Sequence, residues 1–280
     1  MSKAIRFWKI HGLGNDYILI VDKDQTIKED KASTIARKLC QRKFSVGADG
    51  LLLLSDSDRA DVSMKIFNAD GSEAEMCGNG IRCLAKYCYE NGVVGMKEFV
   101  VETLAGLKTV RVIVEDGEVK NVFVNMGKPV FDRGKIPMRG AGRCIYEPLK
   151  VDEGEFRITC LSVGNPHCVI FVDDVENVPV RAIGPLIERN TLFPQGVNVG
   201  FSQILSRGEI HTRVWERGVG ETLACGTGAC AAVVAANTLG KVGEKVIVHL
   251  LGGDLTIEYG ESLSLLGPAE KVFEGTISLE

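Results

Sequence analysis

The sequence predicts an α+β fold with two similar domains, and three observations support this prediction. Most of the chain alternates apolar and polar residues as β-strands do, and helical periodicity is confined to a few segments. Two different sequence motifs also occur twice each, in the same order and at a nearly constant interval. Finally, 280 residues with 45% hydrophobic residues are enough for two domains of roughly 140 residues. Strand runs with a few helices between them favour α+β over a doubly wound parallel sheet.

The strand pattern is the most frequent one along the chain. The segment DVSMKIF places Val62, Met64 and Ile66 on one face. The segment TVRVIVEDGEVKNVFVNM has two alternating runs around Asp116-Gly117, which is the sequence of a tight hairpin turn. The same alternation continues in later segments, at residues 155–163, 168–174, 210–216 and 245–259.

Four segments have the periodicity of helices: residues 28–43, 80–92, 180–190 and 226–240. The clearest two are GIRCLAKYCYENG and GTGACAAVVAANTLG. They end at Gly92 and Gly240, and glycine is the residue that most often closes a helix. Pro185 interrupts the third segment and predicts a shorter helix there.

An internal repeat indicates that the domains are duplicates. GNDYILIVD resembles GNPHCVIFVD, with Asn15 and Asn165 150 positions apart. EAEMCGNGIRCLA resembles ETLACGTGACAAV, with Cys77 and Cys225 148 positions apart. Two matches in register predict domains at residues 1–125 and 126–270, with the loop-like stretch 125–137 as the crossover.

Charge and cysteine content exclude several classes of protein. The net charge of −4 and the absence of a basic stripe give no electrostatic reason for a nucleic-acid partner. The N-terminus lacks the pattern of a signal peptide, and no run of apolar residues is long enough to predict a membrane span. Nine cysteines without a C-x-x-C pair argue against a disulfide framework and a structural zinc site. We therefore expect a reduced, cytoplasmic protein.

Cys77 and Cys225 each precede a Gly-x-Gly sequence at the predicted start of a helix. The first amides of a helix have no internal partner, and with the helix dipole they favour a carboxylate ligand and a thiolate. Duplicated domains related by a pseudo-two-fold axis would bring both thiols to one cleft. One thiol would then remove an α-proton while the other delivers a proton to the opposite face, which is stereoinversion.

Five motifs resemble the diaminopimelate epimerase family: FNADGSEAEMCGNG, GNPH, GVNV, WERGVGETLACGTGA and GPAEKVFEG, at residues 67–80, 164–167, 196–199, 215–229 and 267–275. The resemblance implies interconversion of LL- and meso-diaminopimelate without pyridoxal phosphate, other cofactors or metal. It also implies a homodimer and two pseudo-symmetric domains, each a curled, mostly antiparallel sheet around a central helix. The active site would lie in the cleft between them, and residues 271–280 would return to the first domain.

The resemblance also implies roles for individual residues. Cys77 and Cys225 match the acid/base pair, His167 supports their chemistry, and Glu216 takes the reacting ammonium. The reacting carboxylate would be held by amides of Gly78, Asn79, Gly226 and Thr227. The remaining substrate contacts would come from Asn15, Asn68, Asn165, Asn198 and Arg217, with the Arg217 fork suited to the distal carboxylate.

Two features qualify these roles. Some family members have Gln where this chain has Gly50, so no side-chain contact is expected there. Asn15 and Asn68 also lie in Gly-Asn-Asp and Asn-Ala-Asp-Gly sequences, which are typical of turns.

Other functions remain open from the sequence. A proline racemase-like isomerase would use the same pair of thiols, although His typically follows Cys-Gly there and this chain has Asn79. A Cys-His hydrolase would pair His167 with one thiol and leave the other unexplained. GTGACA fits a dinucleotide-binding pattern weakly. A thiol-redox protein or a non-catalytic binding module would also be compatible with paired cysteines.

Overall fold

A computed structural model describes residues 4–23 and 27–278 of the chain. These residues contain eighteen β-strands and four α-helices, with one short 3-10 helix at Arg133–Lys135. The strands are β1 (Ala4–Gly12), β2 (Asn15–Val21), β3 (Gly50–Ser55), β4 (Val62–Asn68), β5 (Glu73–Ala74), β6 (Glu98–Thr103), β7 (Gly106–Glu115), β8 (Glu118–Gly127), β9 (Cys144–Val151), β10 (Gly154–Ser162), β11 (Pro166–Phe171), β12 (Asn198–Ser206), β13 (Glu209–Glu216), β14 (Gly220–Thr222), β15 (Lys245–Leu250), β16 (Gly253–Tyr259), β17 (Leu263–Gly267) and β18 (Glu270–Ser278). The helices are α1 (Glu29–Leu39), α2 (Gly78–Glu90), α3 (Val180–Glu188) and α4 (Gly226–Thr238).

The chain divides into two units. The first holds the described residues up to Val124 together with those from Gly267 onward, and the second runs from Asn125 to Leu266. The domain limits expected from the sequence, 1–125 with 271–280 and 126–270, stay a prediction. Within the described part of the chain, no helix is long and apolar enough to cross a membrane.

The strands of the first unit follow one order of pairing. Strand β1 pairs antiparallel with β2 and, on its other side, with β18. Strand β2 pairs parallel with β3, and β3 pairs antiparallel with β4. Strand β4 pairs antiparallel with the short β5 and parallel with β6, and antiparallel pairs join β6 to β7 and β7 to β8.

The second unit repeats this order strand for strand. Antiparallel pairs join β9 to β10 and β10 to β11. Strand β11 then pairs parallel with β12, and β12 pairs antiparallel with β13. Strand β13 pairs with the short β14 and, in parallel, with β15, after which β15, β16 and β17 are antiparallel. The α+β prediction and the internal repeat are therefore confirmed at the level of topology.

Each unit has one helix in its centre. Ten of the thirteen residues of α2 are buried, and α2 packs against strands β1 to β4 and β7. Eleven of the thirteen residues of α4 are buried, and α4 packs against β10 to β13, β15 and β16. A helix that is buried on all sides must be apolar all round, which explains the run of alanine and valine in GTGACAAVVAANT.

The outer helices are amphipathic and cover one face of each sheet. Helix α1 buries Ile35 and Leu39 against a cluster that includes Ile18, Leu51 and Phe67. Helix α3 packs in the same way against β12 and β13. All four helices predicted from periodicity are present, and the 180–190 segment forms a short helix as Pro185 led us to expect.

The hairpin between β7 and β8 also follows the prediction. Asp116 and Gly117 have φ values of 51° and 82°, so both central residues lie in the left-handed region. A two-residue hairpin loop with two positive φ values has the twist that adjacent strands require, and Asp-Gly adopts it at low cost.

Candidate active site

Cys77 is the N-cap residue of α2 in the first unit. Its backbone is extended, and its sulfur accepts a hydrogen bond from the amide of Gly80 at 3.5 Å. The helix begins here because Cys77 occupies the position where a side chain satisfies one of the free amides. A Cβ atom at Gly80 would lie 3.1 Å from Leu52 Cδ2, so glycine allows the helix start to pack closely on β3.

Tyr17, Asn15 and Asn79 form a hydrogen-bonded network beside the Cys77 sulfur. The hydroxyl of Tyr17 lies 2.8 Å from Sγ and 2.6 Å from Oδ1 of Asn15. Asn79 Nδ2 donates to the same Oδ1 at 3.1 Å, and Cys77 Sγ is 3.7 Å from it. The structure therefore brings together three residues singled out in the sequence, Asn15, Cys77 and Asn79, and adds Tyr17.

A network of charged side chains orients Asn15. Asn15 Nδ2 donates to Asp49 Oδ2 at 2.9 Å, and Arg42 bonds both Asp49 and Asp16. Lys9 lies 2.7 Å from Asp16 and also bonds the carbonyl of Gly47. Burial raises the pKa of Asp16, but the hydrogen bonds and charges of Arg42 and Lys9 outweigh it and lower the pKa to about 2. Asp16 is thus ionised, and the network holds Asn15 in one orientation.

Asn68 lies in one row with Tyr17 and Gly50 across three strands. Gly50 is opposite Tyr17 on one side and opposite Asn68 on the other. A Cβ at Gly50 would lie 2.8 Å from the carbonyl of Phe67 and 3.1 Å from the Tyr17 ring. Glycine therefore lets the ring pack closely on this position.

The Asn68 side chain is exposed and takes part in a turn. Its Nδ2 donates to Ser72 Oγ at 3.0 Å. Asp70 supports the same turn, because its Oδ1 accepts bonds from the Ser72 amide and hydroxyl, which lower the pKa of Asp70. Asn68 therefore has the turn role that its sequence suggested, with its side chain still open to a ligand.

Cys225 occupies the equivalent position in the second unit. It is the N-cap of α4, and its sulfur accepts a hydrogen bond from the amide of Gly228 at 3.3 Å. Its neighbour is the hydroxyl of Thr227, 3.5 Å from Sγ, which also accepts from Asn165 Nδ2 at 3.2 Å. The two units thus build the same helix start around a thiol.

His167 is fully buried beside this group. Its Nε2 lies 2.9 Å from Asn165 Oδ1, and its side chain is 1% exposed. Burial, together with the positive charge of Arg217, lowers the pKa of His167 to about 3, so the ring is neutral at physiological pH. Because Oδ1 can only accept, the neutral ring carries its proton on Nε2.

Glu216 and Arg217 end β13 and begin the loop that follows. Glu216 Oε1 accepts from the hydroxyl of Thr222 at 2.6 Å. The Arg217 amide donates to Asn198 Oδ1 at 2.9 Å, and Asn198 Nδ2 donates to the carbonyl of Pro166. The Arg217 side chain is exposed, and its Nη1 donates to the carbonyl of Gln195 at 3.1 Å.

Glu188 of α3 holds this loop in place. Its two carboxylate oxygens accept from Trp215 Nε1 at 2.6 Å and from the Gly218 amide at 2.9 Å. A Cβ at Gly196, whose φ is 72°, would lie 3.0 Å from Arg217 Cδ, so this glycine gives room to the arginine stem.

The helix-interior cysteines are core residues. Cys83, Cys88 and Cys230 have no exposed surface. Burial raises the pKa of both Cys83 and Cys88 to about 12, which keeps these thiols protonated and unreactive. Among the described residues, no three His, Cys, Asp or Glu side chains are grouped as metal ligands would be.

Arg82 is a buried residue that the sequence did not single out. It lies inside α2 with no exposed surface, and it donates to the carbonyls of Gly78 and Pro268, both at 3.0 Å. Arg82 thereby ties the first turn of the Cys77 helix to the last segment of the chain. Gly12 leaves room for the guanidinium, because a Cβ there would lie 2.8 Å from its Nη2.

Tyr17, and Asp49 that bonds Asn15, were also missed in the sequence. Hydrogen bonds between distant segments have no local sequence pattern, which explains Asp49. Tyr17 did have a signal, because the repeat aligns GNDY with GNPH and so places Tyr17 opposite His167.

Comparison with known proteins identifies the family. The model of the family described as diaminopimelate epimerase matches residues 7–131 and 159–272. The diaminopimelate epimerase of Pelotomaculum thermopropionicum is 54% identical over 274 residues, which cover 97% of this chain and 98% of that protein. Those of Geobacillus kaustophilus and Moorella thermoacetica are each 49% identical, over 98% and 99% of this chain and 96% and 100% of theirs.

Solved structures share the fold at much lower identity. A hydroxyproline epimerase from Agrobacterium vitis has a TM-score of 0.75 at 17% identity, covering 100% of this chain and 94% of that one. A Bacillus anthracis phenazine biosynthesis protein of the PhzF family has a TM-score of 0.72 at 17% identity, covering 99% and 100%. The family model and the relatives, matched over nearly the full length of both sequences, show that this chain belongs to the diaminopimelate epimerase family.

Proposed function

We propose that this chain interconverts LL-diaminopimelate and meso-diaminopimelate by a two-cysteine acid/base mechanism, without pyridoxal phosphate or metal. The observation that carries the proposal is the duplicated helix start, with Cys77 and Cys225 each as the N-cap of a central helix. Inversion at one carbon needs two acid/base groups of similar chemistry, and two thiols at equivalent helix starts meet that need.

The proton balance of the reaction follows from this pair. One cysteine begins as a thiolate and takes the α-proton, so it becomes a thiol. The other begins as a thiol and gives its proton to the opposite face of the same carbon, so it becomes a thiolate. The electrons of the broken C–H bond pass through the enediolate form of the carboxylate and return to the new C–H bond. The reverse reaction starts from the exchanged protonation states.

The substrate groups have complementary partners in the two units. The reacting carboxylate fits the backbone amides of Gly78 and Asn79 and of Gly226 and Thr227, which are the first residues of α2 and α4. Amides directed at the carboxylate stabilise the enediolate charge as it develops.

Other residues take the two ends of the diamino acid. Glu216 takes the reacting ammonium, and His167 supports the thiols as a neutral group. Arg217 holds the distal carboxylate, together with the asparagines Asn15, Asn68, Asn165 and Asn198.

The protein acts as a cytoplasmic homodimer in this proposal, with a small-molecule substrate and no nucleic-acid or membrane partner. Each unit is one epimerase domain. Strand β18 is the proposed contact between copies, because it exposes Val272 and Phe273, at 55% and 45%.

The proposal is tested by hydrogen exchange in heavy water. Purified, reduced protein without added cofactor should incorporate deuterium at the α-carbon of LL- and meso-diaminopimelate, measured by mass spectrometry. Proline and trans-4-hydroxyproline, the substrates of a racemase-like alternative, should not exchange. Absence of exchange with both diaminopimelate isomers would show the assignment to be wrong.

Serine variants test the two-thiol mechanism in the same assay. Cys77→Ser and Cys225→Ser should each lower the epimerisation rate by about 10²- to 10⁴-fold, which is the usual contribution of one acid/base group. Cys88→Ser, the same substitution at a buried position of α2, is the matched control and should keep near-normal kcat. Near-normal turnover in either catalytic variant would contradict the mechanism.

A further inference from the structure

Tyr17, which was not identified from the sequence, contacts the first thiol directly. Its hydroxyl lies 2.8 Å from Cys77 Sγ, and the side chain is 5% exposed. Gly50 lets the ring pack closely on β3, because a Cβ atom there would lie 3.1 Å from the ring. The buried ring thus places its hydroxyl at the sulfur.

The hydroxyl has one proton and two acceptors within reach. It can donate to Asn15 Oδ1 at 2.6 Å or to the Cys77 sulfur at 2.8 Å, but not to both at once. When Cys77 carries a proton, its S–H can donate to Oη while the phenol donates to Oδ1. When Cys77 is a thiolate, it has no proton to give to Oη, so the hydrogen bond between these two groups forms when the phenol proton turns to the sulfur. Asn15 Oδ1 keeps the bond from Asn79 in both states.

The second unit has a different residue at the equivalent place. His167 stands two residues after Asn165, as Tyr17 stands two residues after Asn15, and its Nε2 bonds the asparagine oxygen in the same way. The hydroxyl of Thr227 lies 3.5 Å from Cys225 Sγ. The hydroxyl beside the thiol is therefore a phenol in the first unit and a threonine hydroxyl in the second, although the helix starts are alike.

We infer that Tyr17 is a positioning residue for Cys77, which reverses its hydrogen bond as the thiol gains or loses its proton and stabilises the thiolate by donating to it. This inference rests on the acid/base role proposed for Cys77. It assigns Tyr17 a task that differs from substrate binding, because its hydroxyl is directed at the sulfur.

Removal of the hydroxyl should therefore act on the chemical step. A hydrogen bond to a charged group contributes enough to change an equilibrium by about tenfold or more. In Tyr17→Phe, kcat for epimerisation should fall about tenfold, and KM should stay within about twofold. Tyr89→Phe is the matched control, since this partly exposed tyrosine near the end of α2 loses the same hydroxyl. It should keep the wild-type kcat.

A second measurement needs no substrate and so tests Tyr17 separately from the proposed function. The two cysteines are alkylated with iodoacetamide from pH 5 to pH 10, and each site is quantified by peptide mass spectrometry. In Tyr17→Phe, the midpoint of the Cys77 profile should move up by about one pH unit. The Cys225 profile should not move, which serves as an internal check that the variant is folded.

The outcomes separate the two proposals. Wild-type protein without epimerase activity would refute the proposed function, and the alkylation profiles would still decide the link between Tyr17 and Cys77. An unmoved Cys77 midpoint, or a change in KM with kcat unaltered, would overturn the inference. A shift of both cysteine profiles by the same amount would also overturn it, because the effect would not be specific to Cys77.

Discussion

His167 illustrates how burial determines the protonation state of one residue. The ring is 1% exposed, and burial together with the charge of Arg217 lowers its pKa to about 3. An unfolded histidine titrates near 6.5. His167 therefore acts in the folded protein as a neutral hydrogen-bond donor to Asn165, and it is not a general acid at neutral pH.

This pKa shift predicts a loss of stability in mild acid. Between about pH 6.5 and pH 3 the unfolded chain binds a proton at His167 that the folded protein does not, so the free energy of unfolding falls as the pH drops. His167 alone should contribute a loss of about 2 kcal/mol between pH 7 and pH 5, and none above pH 7. Urea denaturation of wild type and His167→Gln at both pH values measures the difference.

The control for this prediction is His211→Gln, at a partly exposed histidine of β13. It should lose as much stability between the two pH values as the wild type does. If His167→Gln also keeps the full wild-type loss, His167 is not the residue responsible.

At the scale of elements, the contact of α3 with β13 lies next to the loop that begins at Arg217. Gly184 of α3 faces Trp215 of β13, and a Cβ there would lie 2.6 Å from Trp215 Cγ and 2.8 Å from its Cβ. These atoms lie next to the backbone and have little room to shift. The helix and the strand therefore meet at a distance that only glycine permits, with Glu188 bonded to the Trp215 ring.

Gly184→Ala should destabilise the protein although alanine is the better helix former. The gain in helix propensity is about 1 kcal/mol, whereas overpacking at a rigid contact costs about 1–3 kcal/mol. Because Trp215 precedes Glu216 and Arg217, the KM for diaminopimelate should also rise. Thermal unfolding and steady-state kinetics measure the two effects.

The matched control is Gly260→Ala, at a glycine between β16 and β17 with open space around its Cα. This variant should be as stable as the wild type and have the same KM. An equally stable Gly184→Ala protein with unchanged KM would contradict the importance of the contact between α3 and β13.

At the scale of the whole molecule, the proposed homodimer predicts a mass twice the 30.4 kDa of one chain. Val272→Glu would bury an unpaired charge in the proposed contact and should weaken the dimer by about a hundredfold or more. Light scattering across a dilution series measures this change. Leu205→Glu removes an apolar side chain of similar exposure, 48%, from β12 and should leave the dimer intact. A wild-type mass of one chain, or a dimer unaffected by Val272→Glu, would contradict this interface.

The sequence predicted the architecture better than it predicted individual strands. The four helices, the Asp116-Gly117 hairpin and the duplication were accessible because each has a local period or an internal match. Strand β3 was not, since all six of its residues are buried and GLLLL does not alternate. Strands β5 and β14 have two and three residues, too few for any pattern.

The sequence likewise predicted only part of the candidate site. The thiols, their glycines and the asparagines lie in motifs, so the sequence identified them as candidates. Tyr17, Asp49 and Arg42 act through contacts between residues far apart in the sequence. The Tyr17 contact forms only when β2 packs on the start of α2, and those of Asp49 and Arg42 form only when β2 meets the segment before β3.

The return of the chain to its first unit has a consequence for synthesis on the ribosome. The pairing of β1 with β18 and the hydrogen bond from Arg82 to the carbonyl of Pro268 can form only after these later segments have left the ribosome. At roughly 5–20 residues per second this delay lasts for about ten to thirty seconds after Val124 has been made. The unit that is translated second can therefore finish folding first, while the nascent chain carries an open sheet edge that chaperones would have to protect.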